Sequence, residues 1–156
     1  MGDEATAIRG PLSGQGALAE GILRALPDWF GIESALIDYA RAADELPTFV
    51  ADRGEQTAGF LTLKPTSTHA VEVHVIAVLP GEHRRGVGRA LVERAADYAR
   101  AEGFSLLHVK TLAPSDPDPS YAATRAFYAA VGFLPLEELP QVWGPENPCL
   151  LMVMVL

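Results

Sequence analysis

"PGEHRRGVGRALVERA", residues 80–95, decides how this chain is read. Pro80 ends a valine-rich run, and Gly86 and Gly88 turn the chain into a segment with helical spacing. A helix start leaves about four N–H groups without carbonyls and carries a partial positive charge. Glycines let an oxygen-rich ligand come close to the backbone, and the combination holds phosphate well. His83, Arg84, Arg85 and Arg89 add positive charge there. The stretch lacks a Gly-Lys-Ser/Thr ending and the G-x-G-x-x-G spacing, so neither a nucleoside-triphosphate loop nor a dinucleotide fingerprint is indicated. Two readings stay open at this point: a cradle for a phosphate group, or a solvated helix start with ordinary turn glycines.

The flanking segments supply a fold. Val87, Ala90, Leu91, Ala95, Tyr98 and Ala99 share one side of the helix, with Arg89, Glu93, Arg94, Asp97 and Arg100 on the other and Gly103 as its stop. Upstream, residues 68–80 ("THAVEVHVIAVLP") read as the longest strand. Alternation puts Val71, Val73, Val75 and Ala77 on one face and Glu72, His74, Ile76 and Val78 on the other. Thr6–Pro11 reads as a first strand. Leu18, Ile22 and Leu26 mark a helix ended by Pro27, and Ser34–Ala43 is a second helix. A strand follows Pro47, turns at Arg53-Gly54-Glu55-Gln56 and returns as "TAGFLTLKP". Downstream come the strand "FSLLHVKTL", the loop "APSDPDPS", the helix "YAATRAFYAAV" closed by Gly132, and the strands "FLPLEEL" and "CLLMVMVL". Without repeats or a linker, residues 1–156 are expected to form one domain, a mixed sheet flanked by helices.

Composition bounds the function. Hydrophobic residues make up 49% of the chain, enough for a packed core. Lys plus Arg number 12 against 20 Asp plus Glu, a net charge of -8, which argues against broad nucleic-acid binding but leaves room for one anion site. The same charge suits a cationic substrate. The single Cys149 forbids an internal disulfide, favours a reducing compartment and, among apolar neighbours, reads as a core residue. No apolar run is long enough to span a bilayer. "MGDEATAIRG" lacks the pattern of a signal peptide, and Asp3 and Glu4 make acylation at Gly2 unattractive, so the expected location is the cytoplasm. His69 and His74 are read as facing opposite sides of one strand, and no motif favours a metal.

The second motif settles the first. "YAATRAFYAAVGF", residues 121–133, begins 33 residues after Gly88. With it, the chain resembles the GNAT superfamily of acetyl-CoA-dependent N-acetyltransferases. Their Gln/Arg-x-x-Gly-x-Gly/Ala turn matches His83-Arg84-Arg85-Gly86-Val87-Gly88, and their Asn-x-x-Ala-x-x-Phe-Tyr-x-x-x-Gly-Phe stretch matches Tyr121 to Phe133. "VIAVLP" also sits where the family places it. The likeness covers Leu46 to Leu156, and residues 1–45 are less specific. His83 stands where Gln or Arg is usual, and Tyr121 where Asn is usual. The resemblance implies an acyl-CoA N-acyltransferase fold: a mixed, mostly antiparallel sheet of about six to seven strands with about four helices, splayed at the cofactor site.

The resemblance also implies roles. The backbone N–H groups from Arg84 through Gly86, Val87 and Gly88 to Arg89, with His83 beside them, would hold the coenzyme A pyrophosphate. Ile76, Ala77 and Val78 would pair with the pantetheine arm, and Val78 would supply an N–H to the oxyanion. Tyr121 and Phe127 would line the arm, although Phe127, Phe133 and Leu134 also read as core. Tyr128 matches the general acid; its other reading is packing of helix on sheet. Glu72 falls where histone acetyltransferases of this superfamily carry the general base. His74, on the same face, is a second candidate or a half-buried strand residue, and solvent or the N-terminal helices remain alternatives. Trp29, Phe30, Glu33, Asp38 and Tyr39 would line the acceptor side, or else join two helices. Trp143, within Val142–Cys149, is a pocket wall or a strand-end plug. The implied reaction is acetyl transfer to a primary amine of a small molecule or peptide. A protein lysine or N-terminus as acceptor, a non-catalytic acetyl-CoA sensor, a longer acyl donor and homodimer formation stay open.

Overall fold

The computed structural model describes residues 5–156, so the reading of Gly2, Asp3 and Glu4 lies outside the described residues. The strands are β1 (Thr6–Leu12), β2 (Thr48–Arg53), β3 (Gln56–Pro65), β4 (Ala70–Val78), β5 (Leu106–Leu112), β6 (Leu134–Leu139) and β7 (Cys149–Val155). The helices are α1 (Gly16–Arg24), α2 (Glu33–Glu45), α3 (Val87–Ala101) and α4 (Pro119–Val131), with one 3-10 turn at Pro80–Glu82. The strands form one sheet in the order β1-β2-β3-β4-β5-β7-β6. β4 and β5 are parallel, with Ala70 opposite Leu106 and Glu72 opposite His108. The pairs β1–β2, β2–β3, β5–β7 and β6–β7 are antiparallel.

Several details differ from the sequence reading, among them two element starts and one burial. β4 starts at Ala70 rather than Thr68, because the Ser67 hydroxyl oxygen accepts the N–H groups of His69 and Ala70, each at 3.1 Å, and bends the chain. With 9 residues it is shorter than β3, which has 10, and His69 lies ahead of it, outside the strand alternation. α4 starts at Pro119, two residues before Tyr121, because Asp118 accepts the Ser120 N–H at 2.9 Å and proline suits the first helical position. Leu134 is not core: it stands on the outermost strand, whose residues are nearly all exposed.

The described chain divides into two compact units. One holds the chain up to Lys64 together with His74–Tyr98. In it, Ile22, Leu23, Leu36 and Ala43 of α1 and α2 pack on Val50, Phe60, Val75 and Ala77 of the strands. Phe49 points the other way. Its ring meets that of Tyr98 at 5.5 Å, and the Arg94 guanidinium lies 5.2 Å from its centre while donating to the Gly10 carbonyl at 3.0 Å. Helices thus cover both faces, and each fully buried phenylalanine contributes about 2 kcal/mol. Gly59 is required by close approach: a Cβ there would lie 2.7 Å from the Ala77 carbonyl oxygen.

The other unit holds Pro65–Val73 and Ala99–Leu156. β5 pairs with β7 along its whole length, from Leu106 opposite Val155 to Leu112 opposite Cys149. Gly132, at φ +114, ends α4, and the Phe133 N–H then reaches back to the Tyr128 carbonyl at 2.9 Å. This buries Phe133 edge-on against the Tyr128 ring. Arg125 donates to the Leu112 carbonyl at 2.7 Å and fastens α4 to the end of β5.

Candidate active site

The first unit carries the glycine turn. The Leu79 N–H donates to the Ala58 carbonyl at 2.8 Å, so β4 stays tied to β3 up to the proline. In the 3-10 turn, Glu82 forms an ion pair of 2.8 Å with buried Arg53. The backbone then adopts left-handed values at Arg84 (φ 65) and Gly86 (φ 80). The Gly86 carbonyl accepts the Ala90 N–H at 3.0 Å, which makes Gly86 the cap of α3. A Cβ at Gly86 would meet no heavy atom within 4 Å, so the glycine answers a backbone need and fronts open space. Arg84, Arg85 and Arg89 are exposed around it, while Val87 is buried and offers only its backbone.

The His83 side chain has a partner of its own at the strand end. Its Nε2 lies 2.8 Å from the Val78 carbonyl oxygen. A carbonyl only accepts, so Nε2 carries the hydrogen and serves the strand end. The same ring meets Trp29 edge-on at 5.8 Å. On β4, Ala77 is buried against α1 and α2, and Ile76 and Val78 are half-buried.

Ring contacts also join Phe30 to Tyr39 at 5.9 Å and Tyr39 to His74 at 5.3 Å. Glu33 is not drawn into this group. It accepts two hydrogen bonds from Arg24, at 2.7 and 2.9 Å, and its side chain is 66% exposed. That arginine holds the Glu33 carboxyl below the usual range. Asp38 faces Arg41 at 3.8 Å, also at the surface.

The second unit carries the remaining candidates. Glu72 is only 8% exposed and forms an ion pair with Lys110. His108, its register partner, accepts or donates at Nε2 to the Thr66 hydroxyl at 2.8 Å. Burial pushes the His108 pKa down; Glu72 opposes that shift and Lys110 adds to it. Tyr128 is 6% exposed, flanked by the rings of Phe127 at 5.4 Å and Phe133 at 5.6 Å. Tyr121 is half-buried in the first turns of α4. Trp143 is exposed in the loop before β7. Cys149 is fully buried, and burial pushes its thiol pKa up.

His108, Lys110 and Thr66 were absent from the sequence reading. The alternation of "LLHVKTL" puts His108 and Lys110 on one face, but only the β4–β5 register brings Glu72 to them. Among the described residues, no group of three or more His, Cys, Asp or Glu stands ready for a metal, and no helix is long and apolar enough to cross a membrane.

A seven-stranded mixed sheet whose β4 runs through a glycine turn into a helix defines the acyl-CoA N-acyltransferase fold. The sequence model of the acetyltransferase (GNAT) family matches residues 19–133, and the chain belongs to that family. It is 35% identical over 74 residues to a mycothiol acetyltransferase of Beutenbergia cavernae, covering 47% of this chain and 23% of that protein. It is 35% identical over 86 residues to an L-2,4-diaminobutyric acid acetyltransferase of Nocardia farcinica, covering 54% of this chain and 42% of that protein. The match thus spans less than half the length of either relative. In fold it is similar to a GNAT family acetyltransferase of Elizabethkingia anophelis solved with acetyl-CoA bound, with a TM-score of 0.76, 15% identity and coverage of 97% and 98%.

Proposed function

We propose that this chain transfers the acetyl group of acetyl-CoA to a primary amine of a small molecule or peptide, by direct attack in a ternary complex. The observation that carries this reading is the turn before α3. Left-handed Arg84 and Gly86, open space at Gly86 and three exposed arginines fit a pyrophosphate on the helix start. The bound acetyl-CoA of the Elizabethkingia anophelis relative, and the acetyltransferase names of the two others, support the same donor. Ile76, Ala77 and Val78 are assigned to the pantetheine arm, because the register with β5 ends at Glu72. One buried cysteine fits a reducing cytoplasm.

A lysine-like amine has a pKa of about 10.4, so roughly one in a thousand is neutral near pH 7. Glu72 takes its proton, directly or through water, and the Val78 N–H stabilises the oxyanion. The C–N bond forms, the C–S bond breaks, and the Tyr128 hydroxyl protonates the departing thiolate; the second proton shed by the former amine nitrogen returns through water to the Tyr128 oxygen, while the first leaves Glu72 to solvent. The aromatic group of Trp29, Phe30, Tyr39 and His74 is assigned to the acceptor; Glu33, held by Arg24, is not.

The test is to incubate the protein with acetyl-CoA and polyamines, amino acids including L-2,4-diaminobutyrate, aminoglycosides and peptides, and to follow free thiol. Turnover on an amine is the expected result. Acetyl-CoA binding without turnover on any amine would instead make the protein a sensor, and failure to bind acetyl-CoA would overturn the donor assignment.

A further inference from the structure

Glu72 presents a physical problem. A carboxylate this buried is pushed toward its neutral form, often by several pH units. A neutral acid cannot collect a proton from an amine. The charged and titratable groups that bear on it include Lys110 and His108 of β5 and Cys149 of β7.

Of these three, Lys110 supplies the fixed positive charge. The Thr66 hydroxyl donates to the Ala70 carbonyl at 3.2 Å, so toward His108 it must accept. The hydrogen of His108 therefore sits on Nε2, and Nδ1 is a bare lone pair. Nδ1 is buried and has no partner among the described residues. Protonating it would bury an N–H with no acceptor, so His108 stays neutral. Cys149 is fully buried as a thiol. Lys110, with its side chain 29% exposed, spans from solvent to Glu72.

We propose that Lys110 is the positioning residue of the proton acceptor: its ammonium holds buried Glu72 ionised and fixed on the β4–β5 face, and neutral His108 packs the pair without competing for it. This rests on Glu72 being the base, and it goes beyond that reading by saying what keeps a buried carboxylate fit for the task. Lys110 touches no substrate in this assignment. It widens the working range downward in pH at some cost in basicity, since a paired carboxylate is the weaker base.

The test reads Glu72 itself. Carboxyl-labelled glutamate is followed by NMR against pH in wild type, K110R and K110M, alongside kcat/KM for acetyl transfer to L-2,4-diaminobutyrate or the best amine of the panel. Wild-type Glu72 is expected to titrate at or below the ordinary value of about 4.3. K110M is expected to raise the midpoint, and with it the acid limb of kcat/KM, by about one unit or more, while K110R restores both. A wild-type midpoint well above the ordinary value overturns the proposal even where K110M fails to fold, and so does an unmoved midpoint in folded K110M. E72Q separates the two readings. An acid limb that survives in E72Q removes Glu72 as the base, whereas one that vanishes in E72Q but stays in place in K110M removes only Lys110.

Discussion

The imidazole of His83 donates through Nε2 to the carbonyl of Val78 at 2.8 Å, so the first residue of the glycine turn is tied to the last residue of β4. The two peptide segments assigned to the pyrophosphate and to the thioester are thereby set against each other by one side chain. H83A should lower kcat/KM for acetyl-CoA by about tenfold, the effect of losing one hydrogen bond of about 1.4 kcal/mol. H83Q keeps a donor and should recover part of it. Equal kinetics in all three proteins would show that the bond positions nothing.

Gly86 combines φ +80 with open space. G86A should weaken acetyl-CoA binding through backbone strain of about 1–2 kcal/mol, or about tenfold. G86D adds a negative charge and should weaken it on the order of a hundredfold or more. Calorimetric titration with acetyl-CoA measures both, and G86D with wild-type affinity would remove the turn from the cofactor site.

Tyr128 is buried among rings, so removing its hydroxyl leaves the packing of Phe127 and Phe133 intact. Y128F should reduce kcat by about 100-fold or more with little change in acetyl-CoA affinity, as expected for a general acid. A lost affinity with unchanged kcat would instead mark a packing role.

At Gly59, any side chain collides with the Ala77 carbonyl. G59A should destabilise the fold by about 1–3 kcal/mol by pushing β3 from β4. Urea denaturation gives the number, and wild-type stability would mean that the two strands yield.

His108 makes stability depend on pH. Its folded pKa is lowered from 6.5, mainly by burial, so below that value the unfolded chain binds a proton that the folded one refuses. Stability should fall as pH drops below about 6.5 and level off once the folded pKa is passed. In H108N this component of the melting-temperature profile between pH 7 and 5 should flatten; an unchanged slope would assign the acid loss to other groups.

Residues whose meaning is local were legible in the sequence. Gly86, Gly103, Gly132 and the periodicity of α3 announce turns and a helix without help from the rest of the chain. Ser67 and Asp118 also act locally, through side-chain caps, but they sit among turn-forming neighbours that hide where the cap falls. The Glu72–Lys110 pair was beyond reach for a different reason: its partners are 38 residues apart, and their meeting depends on strand register. A carboxylate near aromatics suggests a pocket; that Arg24, one helix away, holds Glu33 at the surface becomes visible only once the two helices are packed together. His83 was expected to serve an anion, and its bond to Val78 needs the turn geometry to be seen.

Strand β6 has β7 on one side and, among the described residues, no strand on the other. With Leu134 and Leu136 exposed, such an edge invites a foreign strand and is a hazard in a crowded solution. Three of its residues resist this. Pro135 has no N–H to offer, the register breaks between Pro135 and Glu137, and Glu137 and Glu138 set like charges against any second copy. The protection is partly electrostatic, so acid and high salt should weaken it, and concentrated stocks will keep best near neutral pH and at low ionic strength.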